Sequence, residues 1–87
     1  MRFQDEQVHR RGLFSIGHDT VDDVRYLSIP VANRMVTYDE YYRLDQTSYD
    51  RFRADYEAAY RFAEECRRRL HDDLLILSPG TDRGSAV

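Results

Sequence analysis

The chain has 87 residues, of which 13 are arginine, none is lysine and 16 are acidic, so its formal net charge is −3. A hydrophobic fraction of 41% is too high for a disordered chain, and a mean hydropathy of −0.75 excludes an integral membrane protein. A domain of this size buries only about 60–65% of its unfolded surface, which leaves little room for an enclosed active site. The mild acidity argues against non-specific binding to duplex DNA.

The N-terminal part of the chain shows no regular hydrophobic period, so residues 1–11 are predicted as an irregular segment, with its order or flexibility left open. It also lacks the continuous apolar run of a signal peptide. With Cys66 as its single cysteine, the chain cannot form an intrachain disulfide, which is compatible with a reducing compartment. These features predict a cytoplasmic protein with one domain at residues 12–79.

Alternating patterns predict strands in the first half of this domain. Residues 12–17 form a short first strand, and an acidic turn follows at residues 18–23. A second strand at residues 25–32 and a third at residues 35–44 form a hairpin, because Asn33 between them suits a tight turn. The apolar residues that share one side of the second strand are Leu27, Ile29 and Val31.

Two positions complicate this hairpin. Pro30 has no amide donor, which predicts that its strand lies at an edge or contains a bulge. In the next strand, Tyr38 and Tyr42 alternate cleanly with their neighbours only if Glu40 shares their face. A bulge near Asp39 and Glu40 would resolve that conflict.

An apolar stripe predicts one long amphipathic helix at residues 48–69. Its members are spaced alternately by three and four residues: Tyr49, Phe52, Tyr56, Ala59, Ala63, Cys66 and Leu70. No proline or glycine interrupts the segment, and Thr47 can cap its N-terminus. On the opposite face of this helix, residues of alternating charge are spaced four apart, which is typical of a face exposed to solvent.

The continuously apolar segment at residues 74–78 predicts a last strand in the centre of the sheet. A Pro-Gly pair ends it, and residues 80–87 are predicted as a flexible tail. The chain is therefore predicted to have an α+β fold of order β-β-β-α-β. One long helix is expected to cover one face of a small, mostly antiparallel sheet.

The chain contains no common catalytic motif, such as a phosphate-binding loop, a nucleophile elbow or a zinc-binding cysteine pair. His18 with Asp19, and residues 71–73, have the chemistry of metal ligands but also suit ordinary turns. Cys66 lies on the apolar stripe, which favours a buried structural thiol. We therefore expect a protein that is not an enzyme and that has no cofactor or metal.

Tyrosines and acidic residues are concentrated in the middle of the chain. Six of the seven tyrosines lie between residues 38 and 60, and six acidic residues face three arginines between residues 39 and 57. Because Tyr41 and Tyr42 point to opposite faces, a sheet covered on one side leaves one of them exposed. An exposed tyrosine beside carboxylates is typical of a protein-binding hot spot that attracts a basic partner. The candidate partner-binding residues are Tyr38, Asp39, Glu40, Tyr41, Tyr42 and Asp45.

In its Asp39-Glu-Tyr-Tyr-Arg stretch followed by an amphipathic helix, the chain resembles small α+β bacterial immunity proteins over residues 24–78. The resemblance implies an inhibitor that masks a basic toxin or nuclease domain. In such an inhibitor, Tyr41 or Tyr42 is expected to anchor the partner, while nearby carboxylates replace the phosphates of its substrate.

Two other classes of protein remain open. The first is a homo-oligomeric structural domain, with a homodimer formed through the strand that contains Pro30 or through the tyrosine face. The second, which the negative net charge disfavours, is a nucleic-acid-associated module. Its contact residues would be Arg10, Arg11, Arg34 and Arg67, Arg68 and Arg69.

Overall fold

The computed structural model describes all residues, 1–87, and it confirms an α+β fold in which helices pack on one face of an antiparallel sheet. Its order differs from the predicted one, because four strands precede two helices. The elements are β1 Phe3–His9, β2 Phe14–Asp19, β3 Val24–Ala32, β4 Thr37–Leu44, α1 Gln46–Ala54, α2 Tyr56–Arg67, a 3-10 turn Asp72–Leu74 and β5 Ser85–Ala86. The sheet order is β1-β2-β3-β4, and β5 pairs with β3.

The N-terminal segment is a strand rather than the predicted irregular segment. β1 pairs with β2 along its length, and a bulge at Glu6 interrupts the register between Asp5 and Gln7. The extra residue shifts the alternation, so Phe3 and Val8 lie on one face although they are five residues apart. A search for a strict period of two therefore misses this strand.

The prediction of one long helix is wrong, because the chain leaves the helical conformation at Asp55. This residue has φ −133° and ψ 97°, and its carboxylate accepts a hydrogen bond from the amide of Ala58 at the start of α2. Asp45 caps α1 in the same way by accepting from the Ser48 amide, so the cap is not at Thr47. Aspartate prefers such positions because its side chain satisfies a free helical amide.

The predicted central strand at residues 74–78 is not formed. Its start lies in the 3-10 turn, and its only pairing is a bridge between Leu75 and Tyr42 and a 2.9 Å bond from the Ile76 amide to the Tyr41 carbonyl. The centre of the sheet is already occupied by consecutive strands. This segment instead lies along the outer edge of β4.

Pro30 lies in an interior strand, at a point where one neighbour has ended. β2 pairs with β3 only as far as Ser28, and the C-terminal residues then take its place. The Val87 amide donates a 3.2 Å hydrogen bond to the Pro30 carbonyl. The nitrogen of Pro30 faces the same side of β3, in the short gap between the last residue paired with β2 and the first residue paired with β5. β3 is paired on both sides, so it offers no open edge for pairing with a second copy. The predicted flexible tail contributes β5 to this arrangement.

The hydrophobic core lies between the helices and one face of the sheet. Its largest fully buried members include Ile16, Leu27, Ile29 and Tyr42, and the helices contribute the buried Tyr49, Phe52, Ala59, Ala63 and Cys66. The β3–β4 register runs without interruption from the Arg25–Leu44 pair to the Ala32–Thr37 pair, so β4 has no bulge. Neither helix has the length and apolar character needed to cross a bilayer.

Candidate protein-binding surface

The helices cover one face of the sheet, and we call the other side the open face. The strand register places alternate residues of β1–β4 on it. They include Phe3, Asp5, Val8, Ser15, Gly17, Tyr26, Ser28, Pro30, Asp39, Tyr41 and Arg43. None of these residues belongs to the hydrophobic core cluster between the sheet and the helices.

Three aromatic residues form a cluster on the open face, which we call the aromatic cluster: Phe3, Tyr26 and Tyr41. The rings of Phe3 and Tyr41 are stacked at a centroid distance of 3.7 Å and an angle of 10°. Tyr26 meets both rings edge-on, at 5.6 and 5.0 Å, and is completely buried beneath them. Phe3 and Tyr41 are half-buried, so they present the aromatic surface that a partner could reach.

Gly17 makes room for this arrangement. A β-carbon at this position would lie 2.5 Å from the Tyr26 hydroxyl oxygen and 2.1 Å from the Gln4 carbonyl oxygen. The tyrosine ring can therefore lie across β2 only because residue 17 has no side chain.

Two carboxylates without salt bridges lie beside the aromatic cluster. Asp5 accepts a 2.6 Å hydrogen bond from the Tyr26 hydroxyl, and Asp39 lies next to Tyr41. Burial, and then the negative charge of Asp5, raise the pKa of Asp39 above its ordinary value. Burial and the same two carboxylates raise the pKa of Tyr41 to about 12. Neither carboxylate forms a salt bridge with an arginine of the chain, although the guanidinium of Arg2 lies 4.8 Å from the centre of the Phe3 ring.

Among the six candidate residues, only Asp39 and Tyr41 lie on the open face. Tyr42 faces the helices, is fully buried and donates a 2.9 Å hydrogen bond to Glu40. Tyr38 lies on the same side as Tyr42, and its hydroxyl accepts from the Gly84 amide at 2.7 Å. The prediction that one of two adjacent tyrosines stays accessible therefore applies to Tyr41.

The other two predicted acidic residues have structural partners. Glu40 is 7% exposed and accepts hydrogen bonds from Arg83 at 2.7 and 3.1 Å. Arg83 also bonds Asp72, and these carboxylates raise its pKa. Asp45 holds the N-terminus of α1 through the Ser48 amide, which lowers the pKa of Asp45. Neither carboxylate is on the open face.

Sequence reasoning missed three members of the site: Phe3, Asp5 and Tyr26. Phe3 and Asp5 lie in β1, which was not predicted as a strand. Tyr26 lies within a predicted strand. The signal that could have identified it is the alternation of the strand, which places Tyr26 on the face opposite Leu27 and Ile29.

The residues with metal-ligand chemistry make other contacts. His18 bonds Asp23 at 2.8 Å, whereas Asp19 is buried against Arg2. His71 bonds Glu65 at 2.7 Å and stacks on Phe62. The structure contains no group of three or more His, Cys, Asp or Glu residues that could hold a metal ion. Cys66 is buried, and burial raises the pKa of its thiol.

Two arginines of the possible nucleic-acid patch are engaged within the chain. Arg67 donates to the carbonyls of Gly12 and Leu13 and pairs with Glu64, and Arg69 donates to the Gly84 carbonyl. The open face remains the surface with the most distinctive chemistry. Comparisons with protein-family models, characterised proteins and solved structures found no match to this chain.

Proposed function

We propose that this chain is a non-catalytic protein-binding domain that docks a basic partner on the open face. The observation that carries the proposal is the pairing of the aromatic cluster with two carboxylates, Asp5 and Asp39, that form no salt bridge. A cationic group placed between them would relieve their mutual repulsion, and the edge of the cluster would supply aromatic contact area.

Electrostatic attraction should control the rate at which such a partner associates with the chain. Carboxylates at the rim of an interface mainly accelerate association, and salt screens this effect. A positive side chain at the Tyr41 ring would add a cation–π contribution of the kind that Arg2 already makes with Phe3. The open face combines both attractions on a surface formed by four strands.

The more specific form of the proposal is an immunity-type inhibitor that masks a basic toxin or nuclease domain. Tyr41 is then the anchor, and Asp5 and Asp39 replace the phosphates of the toxin's substrate. A toxin gene beside the gene for this chain is expected, and co-expression of the two should restore growth. The variant D5N/D39N should restore growth poorly. Equal rescue by wild type and this variant would contradict an electrostatic mask on the open face.

Binding can be tested directly with a defined cationic probe. An isotope-labelled sample titrated with a ten-residue peptide of alternating arginine and glycine should show amide shifts concentrated on the open face. The variant D5N/D39N should bind roughly tenfold more weakly, because the two charges that attract the peptide are gone. Raising the salt from 50 to 200 mM should weaken binding by wild type more than binding by the variant.

The matched control is E57Q/D73N, which removes the same number of charges from exposed positions on the helical side. This control should bind within twofold of wild type. If both double variants lose the same affinity, the attraction reflects net charge and not the open face. Shifts confined to the helices would also overturn the proposed surface.

A further inference from the structure

We infer that the turn between β1 and β2, together with the neighbouring side of α2, binds a short stretch of single-stranded nucleic acid. A hollow of about 600 Å³ lies between the turn and the helix. We call it the turn site; it is lined by Val8, His9, Arg10, Arg11 and Tyr56. None of these residues is acidic, although the net charge of the chain is −3. The inference goes beyond the proposed function, because it does not involve the carboxylates of the open face.

Both arginines of the turn site are available to bind an anion. Arg10 and Arg11 are exposed, and neither forms a salt bridge or a side-chain hydrogen bond within the chain. Glu64, which lies on the same side of α2 as Tyr56, is already paired with Arg67 at 2.8 Å. Guanidinium groups bind phosphates through charge-assisted and often bidentate hydrogen bonds. Two unpaired arginines in one turn therefore suit a phosphate backbone.

The helical side of the turn site offers a surface on which bases can stack. The rings of Tyr56 and Tyr60 are stacked at a centroid distance of 6.0 Å and an angle of 16°. The ring of His9 lies 5.3 Å from that of Tyr56. The two tyrosines are 40% and 38% exposed, so part of each ring can be reached. An acidic peptide would use the arginines but leave this aromatic surface unused, which favours nucleic acid as the ligand.

The fold holds the turn against the tyrosines. Arg67 on α2 donates hydrogen bonds to the carbonyls of Gly12, at 2.7 Å, and Leu13. A β-carbon at Gly12 would lie only 2.8 Å from the Tyr56 hydroxyl oxygen, so the turn packs directly on that side chain. Leu13 has φ 55°, in the left-handed region that a leucine rarely adopts. Because these contacts fix the turn before a ligand arrives, little backbone freedom is lost on binding.

A single strand suits the turn site better than a duplex does. Non-specific affinity for a duplex depends on many phosphate contacts, and the turn site provides two arginines. The bases of a duplex are stacked on one another, whereas a single strand can place its bases on protein side chains. The acidic net charge therefore disfavours duplex binding without excluding a short single strand.

The test is a titration of the isotope-labelled protein with a ten-residue oligodeoxythymidine. Saturable amide shifts are expected at residues 8–13 and 56–60. Raising the salt from 50 to 200 mM should weaken binding about sevenfold, as expected for two phosphate contacts. R10Q/R11Q should lose about tenfold in affinity and most of this salt dependence. Unchanged affinity in R10Q/R11Q, or shifts confined to other parts of the chain, would overturn the inference.

The matched control for charge is R34Q/R51Q, which removes two exposed arginines from other parts of the chain. This control should bind within twofold of wild type. Equal losses in both double variants would show attraction to net charge and overturn the turn site. D5N/D39N should bind the oligonucleotide at least as well as wild type, whereas it should bind the arginine–glycine peptide poorly. The two sets of variants therefore distinguish failure of this inference from failure of the proposed function.

Stacking is tested separately from charge. Y60A should lose at least about fivefold in affinity, whereas Y60F keeps the ring and should bind within twofold of wild type. Thermal unfolding verifies that Y60A folds. A ten-residue abasic strand and a ten-residue glutamate peptide should each bind at least about fivefold more weakly than the oligodeoxythymidine. Equal binding of the glutamate peptide would assign the turn site to an acidic protein, and concentration-dependent shifts without ligand would assign it to a second copy; either result overturns the inference.

Discussion

Gly17 shows how much of the site depends on one missing side chain. We expect G17A to lower the free energy of unfolding by about 1–3 kcal/mol, a range typical of overpacked sites. The added methyl group would meet both the Gln4 carbonyl and the Tyr26 ring. Urea unfolding measures the loss, and titration with the arginine–glycine peptide should show weaker binding, because Tyr26 supports Tyr41.

G80A is the matched control, since a β-carbon at residue 80 has no atom within 4 Å. It should change the free energy of unfolding by less than about 0.5 kcal/mol. If G17A and G80A are equally stable, the aromatic cluster tolerates the additional methyl group and the close packing described here is wrong.

Asp39 and Glu40 are adjacent residues with the same charge and different surroundings. The alternation of a strand predicts that they face opposite sides, and the uninterrupted β4 register agrees. Local sequence does not indicate that Arg83, 43 residues away, neutralises Glu40. Asp39 can therefore be assigned to the open face only once the ion pair between Glu40 and Arg83 is known.

Whether a strand or helix could be predicted from the sequence depended on how regular its local hydrophobic pattern is. The hairpin of β3 and β4 was predicted and is confirmed, because both strands keep a period of two. β1 was missed because its bulge breaks that period. The helix was predicted without its break at Asp55, since the apolar stripe runs through α1 and α2 with one spacing.

The segment at residues 74–78 illustrates competition between elements. Its apolar character is compatible with a central strand, but neighbouring strands in sequence pair with one another first in the meander. Only an edge position beside β4 was left, where a single bridge forms at Leu75. Its final place depended on the number of strands that preceded it.

For the whole molecule, acid stability should depend on carboxylates paired with arginine. Arg2 lowers the pKa of Asp19, and Arg83 lowers the pKa of Asp72. Carboxylates with a lowered folded-state pKa stabilise the fold above about pH 4, and that contribution is lost as the pH falls through their folded-state pKa. The raised pKa of Asp39 acts in the opposite direction, because its ionised form is disfavoured in the folded state.

We expect D19N to lower the free energy of unfolding at pH 7 by about 1–3 kcal/mol, because the buried partner of Arg2 loses its charge. The difference from wild type should shrink as the pH falls below about 4, first because Asp19 of the unfolded chain takes up a proton and then because the folded protein does so at its lowered pKa. Urea unfolding at several pH values measures this trend. The exposed variant D73N should follow wild type throughout. A D19N deficit that stays constant down to pH 2 would show that the charge is not responsible.

The amino-acid sequence by itself determined the α+β class, the central hairpin and the opposite orientations of Tyr41 and Tyr42. These features follow from periodicity, which is a property of a few neighbouring residues. Only the tertiary structure decided which tyrosine is covered, that Asp5 lies near Asp39, and that Glu40 has an arginine partner. Those outcomes depend on which residues distant in the chain pack together, and local patterns carry no information about that choice.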